Sequence, residues 1–287
     1  MPLPTNCSEG SIKMIDTHAH IDGPEFAEDL EAVIQRAKDA GVRKIFIPGI
    51  CLKDTPHLLE VCQAYPGYLH PMIGLHPENI MDEDYHHALD QLERLLKEPE
   101  LPHSTSDSPS PIIAIGEVGL DFYWDDTHKQ EQIEVFERQI QWAEQYNLPL
   151  MIHSRSAHTE LMETMERHRD SNLSGVFHCF TGTEEEARDL LSFPNFMLGI
   201  GGVLTFRKST LREVVKNAIP LSRIVLETDS PYMAPVPNRG KRNESAYVKW
   251  VAEKLAETYN QDFATIAHQT TENALKVFKK VTFFDKN

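Results

Sequence analysis

The segment KMIDTHAH, residues 13–20, is a short apolar run that ends on two histidines one residue apart. In a β-strand, side chains at positions i and i+2 point to the same side, so His18 and His20 are expected to aim at one point. Two imidazoles with a common target can hold a metal ion. Such a pair is commonplace by itself, and its meaning depends on whether the rest of the chain supplies further ligands.

Short apolar runs of this kind recur along the chain, with amphipathic helical patterns between most of them. The runs are KMID (13–16), KIFIPG (44–49), HPMIG (70–74), IIAIG (112–116), LPLMIH (148–153), GVFHCF (175–180), FMLGIG (196–201) and RIVLET (223–228). Strands that alternate with helices are typical of parallel sheets with right-handed crossovers. Eight such units in 287 residues predict a closed TIM (β/α)8 barrel, with a doubly wound open sheet as the alternative.

The barrel is expected to form a single domain over residues 14–287, preceded by a flexible extension over residues 1–13 without the apolar region of a secretory signal. The segment EPELPHSTSDSPSP (98–111) predicts a long surface loop before the fourth strand. A helical pattern after Asp262 predicts a last helix packed on the outside of the barrel.

Charge and cysteine content limit the possible functions. The net charge of −16 argues against a protein that coats nucleic acid or an anionic membrane, but not against an enzyme that acts locally on a phosphodiester with the help of bound cations. The four cysteines form no CxxC pair, so a reduced, cytoplasmic setting is expected. No apolar run approaches 18 residues, and no membrane contact or obligate protein partner is implied.

Barrel enzymes carry their chemistry at the C-terminal ends of the strands, where this chain places residues of metal-ligand type. These residues are His18, His20, His76, Glu117, Asp121, His153, His178, Glu227 and Asp229. Four imidazoles and two carboxylates among them are too many for one tetrahedral ion and suit two ions about 3.5–4 Å apart. We assign one ion to His18, His20 and Asp229, the other to His153 and His178, with Glu117 as the bridge. The nitrogen and oxygen ligands suit zinc or manganese, while magnesium prefers more oxygens; two ions, or up to three, are expected.

The motifs in this order resemble the TatD family of metal-dependent deoxyribonucleases. They are IDTHAHID, GLHP, GEVGLDFYW, HSR, HCFTG, ETDSP and PNRGKRNES. The resemblance spans residue 14 to about residue 279. It implies a TIM barrel of the metallo-dependent hydrolase type, a 3′→5′ exonuclease activity on DNA, and the six ligands named above. One departure is Ser245, where family members commonly carry proline; it is expected to loosen the loop before the next helix without touching a ligand.

The expected mechanism uses a metal-activated water that attacks the phosphodiester. Asp229 would orient that water or accept its proton, and Glu117 would hold both ions. Single-stranded DNA or frayed ends are the expected substrate.

Several residues near the strand ends allow two interpretations each. Arg155 could bind a phosphate or form a structural ion pair, and His76 could contact phosphate, support a ligand or cap its own loop. The basic run of Arg239, Lys241 and Arg242 could attract a polyanion at the site mouth or form a solvated loop.

Tyr123 and Trp124 could stack on a base, but packing beneath a loop is the favoured interpretation. Glu227 is expected to orient a ligand from behind, and Cys179 is expected to point away from the site as a buried core thiol.

Two other functions fit parts of the pattern. The first is a metal-dependent amidohydrolase or esterase that acts on a small molecule or on an aminoacyl-tRNA ester. Many such enzymes bridge their ions with a modified lysine, whereas the fourth strand here offers Glu117. The second is a non-catalytic metal-binding protein, against which the absence of cysteine ligands argues.

Overall fold

The computed structural model describes residues 12–81, 84–97 and 112–283 of the chain. Within these ranges, eight strands form one parallel sheet whose spatial order follows the chain. The strands are β1 (Met14–Asp16), β2 (Val42–Pro48), β3 (Leu69–Ile73), β4 (Ala114–Asp121), β5 (Leu150–Arg155), β6 (Gly175–Phe177), β7 (Phe196–Ile200) and β8 (Ile224–Leu226). Each predicted apolar run overlaps one of them, which confirms the strand assignment.

The first and last strands meet and close the sheet. The Thr17 backbone N–H donates to the Leu226 carbonyl at 3.0 Å, and the Asp229 N–H donates to the His18 carbonyl at 2.9 Å. A further parallel bridge joins Ala19 to Ser230. The sequential strand order and this closure confirm the TIM barrel and exclude the doubly wound sheet, which would have two open edges.

The described residues also form nine α-helices, most of them in the crossovers between strands. They are α1 (Leu30–Asp39), α2 (Thr55–Ala64), α3 (Tyr85–Lys97), α4 (Lys129–Tyr146), α5 (His158–Glu166), α6 (Glu184–Leu191), α7 (Leu211–Ala218), α8 (Val248–Tyr259) and α9 (Phe263–Val277). Local signals fix several ends. A reciprocal capping box between Thr183 and Glu186 starts α6, and Asn147, at φ 50°, ends α4 in the left-handed conformation.

The barrel interior has a floor made of one buried apolar residue from each strand. These residues are Ile15, Phe46, Met72, Ala114, Met151, Val176, Met197 and Val225. The floor continues into the end of the chain, where Phe278 is fully buried with its ring 4.7 Å from that of Phe46. The last helix was predicted to pack on the outside of the barrel. It does contact β1, β8 and α8, but its C-terminal end also closes one mouth of the barrel, which leaves the opposite mouth for the site.

Two predicted segments lie largely outside the described residues: the extension, of which only residues 12 and 13 are described, and the loop over 98–111. Across the described part of the chain, none of the helices combines the length and apolar character needed to cross a membrane.

Candidate metal centre

The open mouth of the barrel gathers the side chains selected from the sequence as metal ligands. All six lie on, or within four residues after, five of the strands: His18, His20, Glu117, His153, His178 and Asp229. Their nitrogen and oxygen atoms fall, together with those of His76, into three overlapping groups of potential ligands, each with its atoms within 4.8 Å of one another. The structure therefore brings the predicted set together in one place.

Glu117 stands at the centre of this arrangement, and its two carboxylate oxygens face different pairs of imidazoles. Oε2 lies 3.3 Å from Nε2 of both His18 and His20. Oε1 lies 3.0 Å from Nε2 of His178 and 3.1 Å from Nδ1 of His153. Within each pair the facing nitrogens are 3.2 Å and 3.1 Å apart. One carboxylate thus separates two clusters of nitrogen donors.

These spacings fit two bound cations. Ligand atoms about 2.0–2.1 Å from one ion, at angles near 90–110°, lie roughly 2.8–3.4 Å apart. The measured contacts around both Glu117 oxygens fall within that interval, and the donors are imidazole nitrogens and carboxylate oxygens, the set that zinc and manganese accept. The residues present therefore fit a pair of divalent ions.

The charge balance around Glu117 supports the same conclusion. Burial would raise the pKa of its carboxyl, but His178 and His18 are among the imidazoles that hold that pKa well below its usual range. Burial by itself would lower the pKa of His20, whereas the carboxylates of Glu117 and Asp229 raise it to about 9. In the protein alone, protons balance these carboxylates, so cation binding is expected to release protons.

A β-bulge delivers Glu117 to the cavity. Ala114 on the same strand faces the barrel floor, and in a regular strand a residue three positions later would face the opposite side. The register between β4 and β5 shifts between Ile115 and Glu117, which turns the glutamate inward. Farther along, Gly119 has a φ of +135°, and a Cβ there would lie 2.1 Å from the His153 carbonyl oxygen, so only glycine fits against β5.

Asp229 completes the group formed by His18 and His20. Its Oδ1 lies 3.8 Å from Nε2 of His18 and 3.7 Å from Nε2 of His20. The residue has a φ of +55°, a left-handed conformation that is uncommon outside glycine. Its backbone N–H is held by the His18 carbonyl, so the strained turn is fixed to the end of β1.

Asp121 orients His153, a role that the sequence analysis did not assign. Its Oδ2 lies 2.8 Å from Nε2 of His153, while Oδ1 accepts the Tyr123 backbone N–H at 2.9 Å. Burial opposes ionisation of Asp121, but the contacts with His153 and Tyr123 lower its pKa. A carboxylate at Nε2 keeps the proton there and leaves the Nδ1 lone pair free to face Glu117. The sequence feature that could have indicated this role is Asp121 itself, the second acidic residue of the GEVGLD motif.

Glu227 lies behind His178, with Oε1 4.0 Å from Nδ1 of that ring. The same oxygen accepts the Cys179 backbone N–H. Burial, together with the nearby charge of Asp229, raises the pKa of Glu227 well above its usual range. The glutamate packs against Gly199, where a Cβ would lie 2.1 Å from its Oε2. Glu227 therefore lies behind a candidate ligand, as expected from the sequence, and its orienting role stays a prediction.

The prediction for Cys179 was wrong. It was expected to point away from the site because it follows a ligand on a strand, but β6 ends at Phe177 and Cys179 has a φ of +49°. The turn breaks the alternation of side chains, and Cys179 lines the same cavity as His178. Burial raises the pKa of its thiol well above the usual range, so it sits there as a neutral group.

His76 combines two of the roles considered for it. Its Nδ1 accepts the Glu78 backbone N–H at 3.1 Å, which caps the short helical turn of residues 77–79. Its Nε2 lies 3.3 Å from Oε1 of Glu117, within reach of the second cluster of donors. His76 therefore belongs to the ligand groups by position, and substrate contact by this residue stays a prediction.

The aromatic residues after β4 are exposed, so the interpretation that they pack beneath a loop was wrong. Tyr123 is 52% exposed and Trp124 is 75% exposed. The Arg155 guanidinium lies over the Tyr123 ring at 3.7 Å. Arg155 makes no salt bridge with any acidic side chain in the described ranges, which removes the structural ion pair considered for it.

The basic run after β8 divides into two parts. Arg242 forms a bidentate pair with Asp29, both contacts being 2.8 Å, and is a structural residue. Arg239 lies over the Phe206 ring at 3.6 Å, and Lys241 is exposed. Neither Arg239 nor Lys241 lines the main cavity as far as the described residues define it, so substrate binding by these two stays a prediction.

The cavity above the ligands has a volume of about 1060 Å³ and opens to solvent. A TIM barrel that directs imidazoles and carboxylates into such a cavity defines the class of metal-dependent barrel hydrolases. The model of the family described as TatD related DNase matches residues 15–279. The chain belongs to the TatD family and is a metal-dependent hydrolase.

Individual relatives agree with this assignment. The chain is 37% identical over 267 residues to the Bacillus subtilis (strain 168) protein named uncharacterized metal-dependent hydrolase YabD, with 93% of this chain and 99% of the relative covered. It is 31% identical over 271 residues to the 3'-5' ssDNA/RNA exonuclease TatD of Pectobacterium carotovorum, with 93% and 99% covered. The crystal structure of the TatD homolog YjjV from Escherichia coli K12 superposes with a TM-score of 0.83 at 31% identity, with 93% and 98% covered.

Proposed function

We propose that the protein is a divalent-metal-dependent deoxyribonuclease that removes nucleotides from the 3′ end of single-stranded DNA. The observation that carries the proposal is the division of the Glu117 carboxylate between two imidazole pairs. A pair of divalent ions would suit hydrolysis of a phosphodiester because both the attacking and the leaving oxygen need stabilisation. The name of the Pectobacterium relative, which specifies a 3′-5′ exonuclease, supports the polarity.

In this proposal His18, His20 and Asp229 would hold one ion, His153 and His178 would hold the other, and Glu117 would serve both groups. When bound, the ions supply an activated water and neutralise charge on the phosphoryl oxygens. Asp229 orients the attacking water and accepts its proton. Burial raises the pKa of the Asp229 carboxyl against the opposing effect of His178.

A second candidate is hydrolysis of an ester that carries a cationic group, as on an aminoacyl-tRNA. The observation that favours it is the acidic wall of the cavity, to which Asp22, Glu25, Asp54 and Glu78 contribute. This wall would attract an α-ammonium group and repel a phosphate. Against a lysine-bridged amidohydrolase stands the position of Glu117 between the two imidazole pairs, and no lysine lines the cavity within the described part of the chain.

The test offers one metal-loaded preparation a panel of substrates, each with and without chelator. The panel contains 5′-labelled single-stranded DNA, the same strand in a blunt duplex, RNA, and simple esters. We expect a ladder of products shortened from the 3′ end of the single strand, abolished by chelator and restored by zinc or manganese. Activity confined to esters would transfer the function to the second candidate.

The contribution of the site itself is checked with Glu117→Gln, which keeps the shape of the side chain and removes its charge. A matched control is Glu134→Gln on α4, which lies outside the cavity. Loss of the ladder in the first variant and its retention in the second support the proposal. Equal activity in both would contradict it.

A further inference from the structure

An exposed aromatic pair stands at the edge of the cavity, directly after β4. Tyr123 and Trp124 meet edge to face, with ring centroids 4.7 Å apart and an interplanar angle of 85°. Trp124 leaves three quarters of its surface in contact with solvent. Most large apolar side chains of the described residues are buried, so two exposed aromatic side chains next to each other are unusual. A contiguous exposed apolar surface of this kind is typical of a binding site.

A planar cation joins the pair. The Arg155 guanidinium lies 3.7 Å from the centre of the Tyr123 ring and 5.4 Å from that of Trp124. β4 and β5 are paired so that Asp121 lies opposite Arg155, which places the three groups side by side on neighbouring strand ends. A guanidinium held flat against an aromatic ring keeps its remaining N–H groups available for a phosphate. We name Tyr123, Trp124 and Arg155 the aromatic platform.

The aromatic platform is tied to the candidate ligands by two short connections. Asp121 accepts the Tyr123 N–H with one oxygen and contacts His153 with the other. Arg155 follows His153 by two residues on β5, a distance of about 6.6 Å along a strand. Trp124 and Arg155 line the same cavity as Glu117. A phosphate at the metal centre would therefore place the base of its own nucleotide over the platform.

The part of the cavity lining that follows β1, β2 and β3 disfavours a polyanion. It carries the carboxylates of Asp22, Glu25, Asp54 and Glu78. Like charges repel a phosphodiester backbone on that side, and the cation on the platform attracts it on the other. The charge distribution thus directs a nucleic acid strand across the β4–β5 edge of the mouth.

We propose that the aromatic platform is a stacking subsite for a nucleobase next to the scissile phosphodiester. This proposal rests on the proposed nuclease function and adds to it the part of the substrate that the protein grips. A base can stack in this way only when it is unpaired, so the platform selects single strands and frayed ends without reading their sequence.

The test measures KM and kcat of the metal-loaded unchanged protein and of Trp124→Ala on three oligothymidylates. The first carries a base at every position, the second has an abasic tetrahydrofuran unit at the 3′-terminal position, and the third has that unit at the penultimate position. We expect Trp124→Ala to raise KM about 5- to 150-fold on the complete oligonucleotide with little change in kcat, the range that loss of one base–aromatic stack gives. On one of the abasic oligonucleotides the variant and the unchanged protein should have the same KM.

Two further variants test the rest of the platform. Arg155→Lys keeps the charge but loses the planar contact, so it should raise KM on the complete oligonucleotide, and Arg155→Ala should raise it further. Trp250→Phe on α8, outside the cavity, should leave KM unchanged. An equal rise of KM for Trp124→Ala on complete and abasic oligonucleotides, or no rise on either, would overturn the proposal.

A binding measurement separates failure of this proposal from failure of the proposed function. Fluorescence is recorded while a phosphorothioate oligothymidylate, which is hydrolysed slowly, is added to the metal-loaded protein. Trp124→Phe identifies the part of the signal that belongs to Trp124. Quenching of that part without hydrolysis of any nucleic acid would uphold the platform and end the nuclease proposal. Exonuclease activity without quenching of the Trp124 signal would support the nuclease proposal and overturn the aromatic platform.

Discussion

Replacing Asp121 with asparagine tests how the second group of ligands is held. The carboxylate uses both oxygens as acceptors, one from the Tyr123 backbone N–H and one from Nε2 of His153. Asparagine has only one acceptor oxygen, so it can serve only one of the two donors. If that oxygen stays with Tyr123, the amide N–H₂ faces His153 and forces its proton to Nδ1. That proton then blocks the nitrogen that faces Glu117.

The alternative orientation keeps the tautomer of His153 but places an N–H₂ against the Tyr123 N–H. The Tyr123 N–H, part-buried where it meets Asp121, would then lose its acceptor, which costs about 0.5–1.5 kcal/mol. The first orientation is therefore favoured, and we expect the affinity for the ion at His153 and His178 to fall about 10- to 100-fold, the range found when a partner of a metal-bound histidine is lost. This corresponds to about 1.4–2.7 kcal/mol.

The assay is a competition titration of zinc against a chromogenic chelator, with a thermal melt to verify folding. Two binding steps are expected in the unchanged protein, and Asp121→Asn should weaken one of them and spare the other. Asp126→Asn, an exposed change five residues later, is the matched control and should alter neither step. Unchanged affinity in Asp121→Asn, or equal weakening of both steps, would refute the reasoning.

Three other predictions follow from the same geometry. Glu117→Ala should lower turnover by at least about 1000-fold with the fold retained, because it removes the bridge between both ligand groups; rates on single-stranded DNA and a circular dichroism spectrum check this, and near-normal turnover would disprove it. Phe278→Ala should lower the free energy of unfolding by about 3–5 kcal/mol, measured by denaturant titration, with metal content unchanged if the floor is independent of the site. Gly199→Ala should displace Glu227 and reduce activity in rate assays, whereas Gly201→Ala, whose Cβ would meet its nearest atom at 3.6 Å, should not; equal effects would contradict the packing argument.

The strand positions and the ligand set could be predicted from the sequence because both depend on local order. Each apolar run becomes a strand, and parallel strands in a barrel place their following residues at one mouth. His18 and Asp229 are separated by most of the chain, yet they meet because β1 and β8 close the sheet. Strand order therefore contained most of the information about the site.

Departures from regular strand geometry could not be predicted. Period-two alternation assigns Cys179 to the side opposite His178, but a left-handed turn after β6 reverses that expectation. The bulge that turns Glu117 to the same side as Ala114 was likewise not visible in the sequence, although Glu117 itself was expected in the site. The exposure of Trp124 was equally hidden, since tryptophan side chains are highly buried on average. These departures occur around the cavity, where backbone irregularity serves the site.

The two-ion centre is tested most directly by anomalous X-ray diffraction from crystals grown with zinc or manganese, collected on both sides of the absorption edge of the metal. We expect two peaks about 3.5–4 Å apart, one on each side of the Glu117 carboxylate, the first next to His18 and His20 and the second next to His153 and His178. A single peak with Glu117 bound through one oxygen, or peaks away from these histidines, would contradict the two-ion centre.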